Sequence, residues 1–261
     1  MNLDLTGHNA LVCGSSKGIG KAAALEIAAL GANVTLVART AEKLSLLLKE
    51  LDTSLGQQHD YLTADFSKPA VLKKKVNLLV AKKPIHILVN NTGGPAGGSI
   101  TDADVNSFIS AFQQHLVCNQ ILAQAVIGGM KSAGYGRIIN VISTSVKEPI
   151  SGLGVSNTTR GAVANWAKTW ANEVGQYGVT VNNLLPGATA TDRLQEIIDS
   201  RATKAGVPSE TVADKMKASV PMNRFADPAE IGGVIAFLAS PAAAYISGTN
   251  ITVDGGRTKS W

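Results

Sequence analysis

Residues 10–30 read ALVCGSSKGIGKAAALEIAAL, and the fold is decided by how this stretch divides. Ala10 to Gly14 is a short apolar run of strand type, and from about Gly18 to Leu30 the alanine-rich sequence reads as a helix. Between them lies CGSSKGIG, with Gly14, Gly18 and Gly20 in GxxxGxG spacing and Ser16, Lys17 and Ile19 interleaved. Glycine lets the backbone turn sharply and lets a phosphate approach the free N–H groups at a helix N-terminus, where the helix dipole favours an anion. A bare glycine triplet is a weak signal. With a strand before it and a helix after it, close to the N-terminus, it points to dinucleotide binding rather than to a plain turn.

The same alternation runs outward along the chain. NVTLVA (33–38) precedes a helix extending through Leu51, HDYLTAD (59–65) precedes a lysine-bearing helix, and HILVNN (86–91) precedes a glycine-rich loop. RIINVIS (137–143) and VTVNNLLPG (179–187) follow longer helices, and NITVDGG (250–256) closes the series. Strands that are almost continuously apolar are buried on both faces, and strand-helix alternation gives a parallel sheet covered by helices on each side. The expected fold is α/β, a Rossmann-type doubly wound parallel sheet of about seven strands, in one domain spanning residues 1–261. Such sheets bind ligands beyond the carboxyl ends of their strands, so function is sought in the loops that follow strands.

Composition narrows the classes of function. The chain has 24 Lys and Arg against 19 Asp and Glu, a formal charge of +5. The basic residues are scattered apart from Lys73, Lys74, Lys75, Lys82 and Lys83, which read as the wet face of a helix rather than a nucleic-acid patch. The start, MNLDLTGHNA, lacks a basic, apolar signal sequence, and no segment has the apolar length of a membrane span, so a cytoplasmic location with no membrane association is expected. Cys13 and Cys118 lie in apolar patterns and are expected as buried, reduced thiols. None of His8, His59, His86 and His115 has a partner at metal-ligand spacing, and no metal is expected.

Cofactor choice is read at the end of the second strand, Val37-Ala38-Arg39-Thr40. A carboxylate there would accept hydrogen bonds from the adenosine ribose of NAD, and none is present. Arg39 follows the strand and Lys17 sits in the glycine loop, two cations suited to a 2′-phosphate, so NADP(H) is preferred over NAD(H).

The GxxxGxG spacing, NNTG at 90–93, GRIINVIS ending at Ser143 and PGATAT at 186–191 together resemble the short-chain dehydrogenase/reductase family, and the likeness runs over essentially the whole chain. The C-terminal PMNRFADPAEIGGVIAFLASPAAAYISGTNITVDGG resembles the 3-oxoacyl-(acyl-carrier-protein) reductase branch. The resemblance implies that Asp65 lies by the adenine, that Asn91 and Gly93 border the adenosine ribose, and that Pro186, Gly187 and Thr191 border the nicotinamide. It also implies a homodimer or homotetramer assembled through long helices and the C-terminal strand. Two small departures are that Cys13 stands where the family usually has threonine and Thr92 where it usually has alanine.

The larger departure is catalytic. Members of the family use an Asn, a Ser, a Tyr and a Lys, and counting from Ser143 puts Ser156 at the Tyr position, Arg160 at the Lys position and His115 at the Asn position. Tyr135 and Tyr177 are the nearest tyrosines, and neither is placed to reach the site. Tyrosine, with a pKa of about 10 that an adjacent lysine can lower, suits protonation of a carbonyl oxygen, whereas a serine hydroxyl is a far weaker acid. Arg160, one helical turn from Ser156, keeps the positive charge but cannot relay a proton. His115 has a suitable intrinsic pKa and Lys147 follows Ser143 by four residues; each reads either as a restored proton link or as a structural residue, a packed helix histidine and a surface cation. Trp166 and Trp170 read as core or interface anchors.

Three readings follow. The first is an NADP(H)-dependent oxidoreductase acting on a small-molecule carbonyl or alcohol, with Ser143, Arg160 and either His115 or Lys147 in the site. The second is a non-catalytic NADP(H)-binding protein, a sensor or an inactive subunit. The third, nucleic-acid binding, lacks any basic and aromatic constellation. A lid expected between Thr191 and about Val220 would choose the substrate and carries no decipherable chemistry of its own.

Overall fold

A computed structural model of the chain describes residues 1–260. Seven strands form one parallel sheet in the order β3-β2-β1-β4-β5-β6-β7, where β1 is Asn9–Cys13, β2 Asn33–Ala38, β3 Asp60–Thr63, β4 Ile87–Asn90, β5 Gly136–Val141, β6 Val179–Pro186 and β7 Asn250–Val253. This is the doubly wound sheet expected from the alternation. The strand order reverses between β1 and β4, and that switch point opens the cleft in which the glycine loop lies.

Among the described residues nine α-helices connect and cover the strands: α1 Gly18–Ala29, α2 Ala41–Leu48, α3 Pro69–Val80, α4 Val105–Phe112, α5 Cys118–Ala133, α6 Gly154–Val174, α7 Asp192–Ala205, α8 Ser209–Ala218 and α9 Pro228–Ala239. One core packs α1, α2 and α9 on one face of the sheet through Val12, Leu36, Ile87, Ile27, Ile231 and Ile235. The other packs α3, α5 and α6 on the opposite face through Leu11, Leu88, Ile138, Leu72, Leu122 and Ala167. Full burial of each such aliphatic side chain stabilises by roughly 1.5–3 kcal/mol. The close approach of α1 to α9 needs small residues: a Cβ on Gly232 would lie 2.9 Å from the Ala22 carbonyl carbon.

Several expected boundaries shift. The helix expected through Leu51 ends at Leu48, because the Lys49 and Glu50 amides turn back to the carbonyls of Leu46 and Leu47 and the Glu50 carboxylate is drawn to Lys21. Leu51 is still buried, but from a turn. NITVDGG is strand only through Val253; Asp254 then accepts from the Gly256 and Thr258 amides, and Gly255 and Gly256 take positive φ. The lysine run faces outward only in part: Leu72, Val76 and Leu79 of α3 are buried and Lys73 and Lys74 exposed, but Lys75 is half-buried and donates to the Thr63 carbonyl at 2.6 Å, and Lys82 and Lys83 lie beyond the helix.

One polar feature inside the sheet went unread in the sequence. Asn90, Asn140, Asn183 and Asn250 sit in register on β4, β5, β6 and β7. Their side-chain amides form a chain, Asn90 to Asn140 at 2.8 Å, Asn140 to Asn183 at 2.9 Å and Asn183 to Asn250 at 2.8 Å. A one-residue slip would break every link, so the ladder fixes the register of the half of the sheet that carries Ser143.

Candidate active site

A cavity of about 710 Å³ runs along the carboxyl ends of β1, β2, β4, β5 and β6. Its first wall is the glycine loop, lined by Gly14, Ser16, Lys17, Gly18 and Ile19. Gly14 has φ +59 and a Cβ there would lie 2.7 Å from both the carbonyl oxygen and the side-chain nitrogen of Asn91, so no other residue fits without movement. The Asn91 amide in turn donates to the carbonyls of Cys13 and Gly14 at 3.3 Å, pinning the loop after β1 to the loop after β4. Gly20 faces the Gly14 carbonyl and does not itself line the cavity. Lys17 at the start of α1 is extended and offers its helix no side-chain cap, so the first amides of α1 keep their hydrogen-bonding capacity. This glycine cradle with uncapped amides behind it fits a pyrophosphate.

Arg39, one residue beyond β2, and Asp65, two beyond β3, line the same wall. The Asp65 carboxylate accepts from the Ser67 amide at 2.9 Å and the Ser67 hydroxyl at 2.8 Å, which hold its pKa below the usual value, with Arg39 and Lys68 adding to the effect. Lys17 does not stand beside Arg39 as a free second cation. Its ammonium bonds Asp192 at 2.9 Å in an exposed pair, of the kind worth about 0–1 kcal/mol and easily exchanged for a phosphate. Asn91, Gly93, Pro186, Gly187 and Thr191 complete this part of the lining. Gly187 lies against Asp254, where a Cβ would come within 2.7 Å of the Asp254 Cα, and Thr191 caps α7 by accepting from the Leu194 amide.

At the other end the cavity is lined by Ser143, Ser156 and Arg160. Ser143 follows β5, and its Oγ accepts from the Ser145 amide at 3.1 Å. Ser156 is in the first turn of α6 and Arg160 one turn further along, so both face the cavity. Arg160 is 8% exposed, donates from Nη1 to the Val141 carbonyl at 3.1 Å, and has no carboxylate partner among the described residues. Burial alone lowers its pKa to about 10, so it remains a cation at neutral pH. None of the four tyrosines lines the cavity; Tyr135 instead donates to the Ala239 carbonyl, and Tyr177 is exposed beyond α6.

For His115 and Lys147 the structure favours the second of the two readings, a packed helix histidine and a loop cation outside the cavity. His115 lies in a five-residue π-helical segment between α4 and α5, is 3% exposed, and lines a hollow of about 520 Å³ that adjoins the cavity at Pro95 and Gln114. Burial, and then the Arg160 charge, lower its pKa to about 3 against a weaker opposing pull from the Gly93 backbone. At neutral pH it is a neutral imidazole and not the titrating group its intrinsic pKa promised. Lys147 ends the short turn after Ser143 and is not part of the cavity wall. Trp166 and Trp170 are half-buried against the core of α3, α5 and α6, both donating to Gln120 Oε1, at 2.7 and 3.0 Å.

The expected lid is two helices. α7 and α8 contribute Leu194, Ile197, Met216 and, just beyond α8, Ser219 and Val220 to the cavity. Three arginines that spacing did not flag line it as well: Arg193 and Arg201 on α7 and Arg257 beyond β7. Arg257 carried a readable signal, since it follows the carboxyl end of a strand in a DGGR sequence. Cys13 and Cys118 are buried and free, and burial raises both thiols, Cys118 to about 12, so neither is a nucleophile. No group of three metal-ligating side chains and no helix long and apolar enough to cross a membrane occurs among the described residues.

Comparison with known proteins agrees with this architecture. Residues 14–258 match the family model described as enoyl-(acyl carrier protein) reductase. The chain is 32% identical to the 3-oxoacyl-(acyl-carrier-protein) reductase FabG of Vibrio cholerae over 97% of this chain and 98% of that one. It is 28% identical to the NADPH-dependent reductase BacG of Bacillus subtilis over 97% of this chain and 98% of that one. Among solved structures it superposes on the L-sorbose reductase of Gluconobacter frateurii, crystallised with NADPH and L-sorbose, with TM-score 0.93 and 28% identity over the full length of both. With its doubly wound sheet, its glycine loop and a family match over nearly its whole length, the chain belongs to the short-chain dehydrogenase/reductase family.

Proposed function

We propose that the protein is an NADP(H)-dependent oxidoreductase that interconverts a carbonyl and an alcohol on a small molecule. The observation that carries this reading is the pairing, in one cavity, of the glycine cradle with Ser143, Ser156 and a buried, cationic Arg160. NADPH dependence in the BacG and L-sorbose reductase relatives supports the cofactor, as does Arg39 in place of a carboxylate after β2. Gly14, Gly18 and the amides of α1 would hold the pyrophosphate, Arg39 the 2′-phosphate, and Asp65, Asn91 and Gly93 the adenosine half. Pro186, Gly187 and Thr191 would border the nicotinamide, which supplies hydride when bound.

The chain's own groups then manage the oxygen. As hydride reaches the carbonyl carbon, the C=O π pair moves onto oxygen, and the Ser143 and Ser156 hydroxyls donate hydrogen bonds to it. Arg160 stabilises the developing negative charge without giving up a proton, an effect worth about 10²–10³ in rate for a well-placed donor in a water-poor site. The alkoxide, held by Arg160, takes its proton from water at the cavity mouth, with the serine hydroxyls only orienting the oxygen, and the hydroxide left behind is neutralised by bulk solvent. His115, neutral at working pH, is packed within the π-helical segment and supplies no proton. NADPH oxidation with a panel of 3-oxoacyl thioesters, ketones and aldehydes tests the reading; turnover no higher than that of a Ser143→Ala, Arg160→Ala double variant counts against it.

The missing tyrosine favours a second reading, a non-catalytic NADP(H)-binding protein. That reading expects micromolar NADPH binding without turnover, and reductase activity appearing in a Ser156→Tyr, Arg160→Lys variant. Under either reading we take the chain to form a homodimer or homotetramer, with exposed Val105 and Ile109 on α4 and Val117 as apolar surface to be covered; a monomer by light scattering contradicts this.

A further inference from the structure

Among the described residues six cationic side chains and two side-chain carboxylates line the main cavity, and the imbalance is not spread evenly. At the glycine-loop end Lys17 is paired with Asp192, and Arg39 lies near Asp65. Arg193 bonds Glu196 at 3.1 Å and the Pro95 carbonyl at 3.0 Å. Three arginines remain without a carboxylate among the described residues: Arg160, Arg201 and Arg257. Arg201 is nine residues along α7 from Asp192, which places it about 14 Å down the helix from the pair that marks the phosphate end. It follows Ile197 by one turn on the cavity-facing side of the lid.

Arg257 is held on the same side by two anchors. The Asp254 carboxylate is taken up by the amides of Gly256 and Thr258, at 3.0 and 2.8 Å. Glu148, in the loop that follows Ser143, accepts from the amides of Lys259 and Ser260 at 2.7 and 2.9 Å. The chain after β7 is thus strapped across the Ser143 loop, and the two acids nearest Arg257 in sequence and in the strap are spent on backbone amides. Around these cations the wall is apolar, with Ile150, Leu153, Leu194, Ile197, Met216 and Val220. Arg201 is exposed and Arg257 half-buried, so each can exchange its hydration for an anion at the cavity wall. A buried cation without a counter-charge is costly, and Arg160, more than nine-tenths buried and bonded only to one carbonyl, is that case.

We propose that the acceptor substrate is an anion, a carbonyl compound with an apolar body and a carboxylate or phosphate group, and that Arg201 and Arg257 bind that group while Arg160 faces the reacting oxygen. The proposal rests on the oxidoreductase reading for the role of Arg160, and on the lining alone for Arg201 and Arg257.

The test uses the full chain saturated with NADP⁺ and measures binding by calorimetry of 2-oxohexanoate, 5-oxohexanoate, their methyl esters, and acetoacetyl-phosphopantetheine; NADPH oxidation is followed with the same compounds. At least one anionic probe is expected to bind ten times or more tighter than a matched neutral ester, with the advantage shrinking as salt is raised. Arg201→Gln, Arg257→Gln is expected to abolish that advantage while leaving NADPH affinity within twofold, and Arg257→Lys to restore part of it. Preference for the oxo acids identifies a carboxylate, and preference for the pantetheine thioester a phosphate. No anionic probe binding tighter than the neutral esters, no binding of any anionic probe, or a loss of NADPH affinity in the double variant overturns the proposal, the last by giving these arginines to the cofactor. Anion binding without NADPH oxidation refutes the oxidoreductase reading and leaves the anion site standing, whereas equal turnover of acids and esters does the reverse.

Discussion

At the glycine-loop end of the cleft the fit is made by main chain: Gly14 against the Asn91 carbonyl, uncapped amides at the head of α1, and a cross-tie from Asn91 to the carbonyls of Cys13 and Gly14. At the Ser143 end, by contrast, every feature of interest is a side chain, and apart from Ser143 those side chains depart from what the family resemblance implies. Backbone geometry tolerates few residue types, because a Cβ at Gly14 has nowhere to go. Side-chain chemistry at a fixed position can be exchanged while the backbone that presents it stays the same. Ser156 and Arg160 occupy the face of α6 on which a tyrosine and a lysine are expected, and the fold around them is undisturbed. The two ends of one cavity thus answer different questions, one about what is held and the other about what is done to it.

The contrast can be broken most forcefully at Gly14. Replacing it with alanine sets a Cβ against Asn91 at positive φ, and we expect no measurable NADPH binding by fluorescence titration and a lower melting temperature; near-normal binding would remove the claim that backbone shape governs that end. At the other end, Arg160→Met is expected to lower kcat by about 10²–10³ with a much smaller change in NADPH affinity. Arg160→Lys should recover a good part of the loss, since it returns the charge. A third outcome concerns the floor between the ends. His115 has a folded pKa of about 3, so the unfolded chain binds its proton first, and stability falls with pH from near 6.5 downwards. The expected loss is roughly 3 kcal/mol between pH 7 and pH 4, read from denaturant melts at the two pH values, and His115→Gln should remove most of it. The smallest effect is expected at Arg39→Gln, a drop of about tenfold in the preference for NADPH over NADH, since one exposed cation is lost while the glycine cradle is unchanged.

How much of this was legible in the sequence follows the same division. The strand, loop and helix at 9–29 could be read directly, because glycine at a forced position and continuous apolar strands are local signals. Ser143, Ser156 and Arg160 could be placed by counting along the spacing that the family resemblance implies, and all three line the cavity. The end of α2 could not be read, since it depends on i to i−3 bonds and on Lys21 attracting Glu50 from another helix. Nor could the role of position 147, since whether a loop lysine faces a cavity is decided by the turn after Ser143. The intrinsic pKa of histidine misled at His115, because burial and the nearby Arg160 charge outweigh it. Arg201 was missed for a related reason, since it faces the cavity only by the register of the lid, whereas Arg257, after DGG at the end of the last strand, carried a local signal; Glu148, more than a hundred residues away, ties the chain beyond it to the Ser143 loop.

The central claim is that this site works with a fixed positive charge where a titrating acid is expected. Single-turnover transfer from NADPH deuterated at the transferred position, followed from pH 6 to 10.5 with the best acceptor, tests it most directly. The account predicts deuterium in the alcohol product, a rate nearly flat between pH 6 and 9, and a decline as pH rises toward about 10, where Arg160 begins to lose its proton. A product without deuterium, or a rate that follows a group titrating between pH 6 and 9, would contradict it.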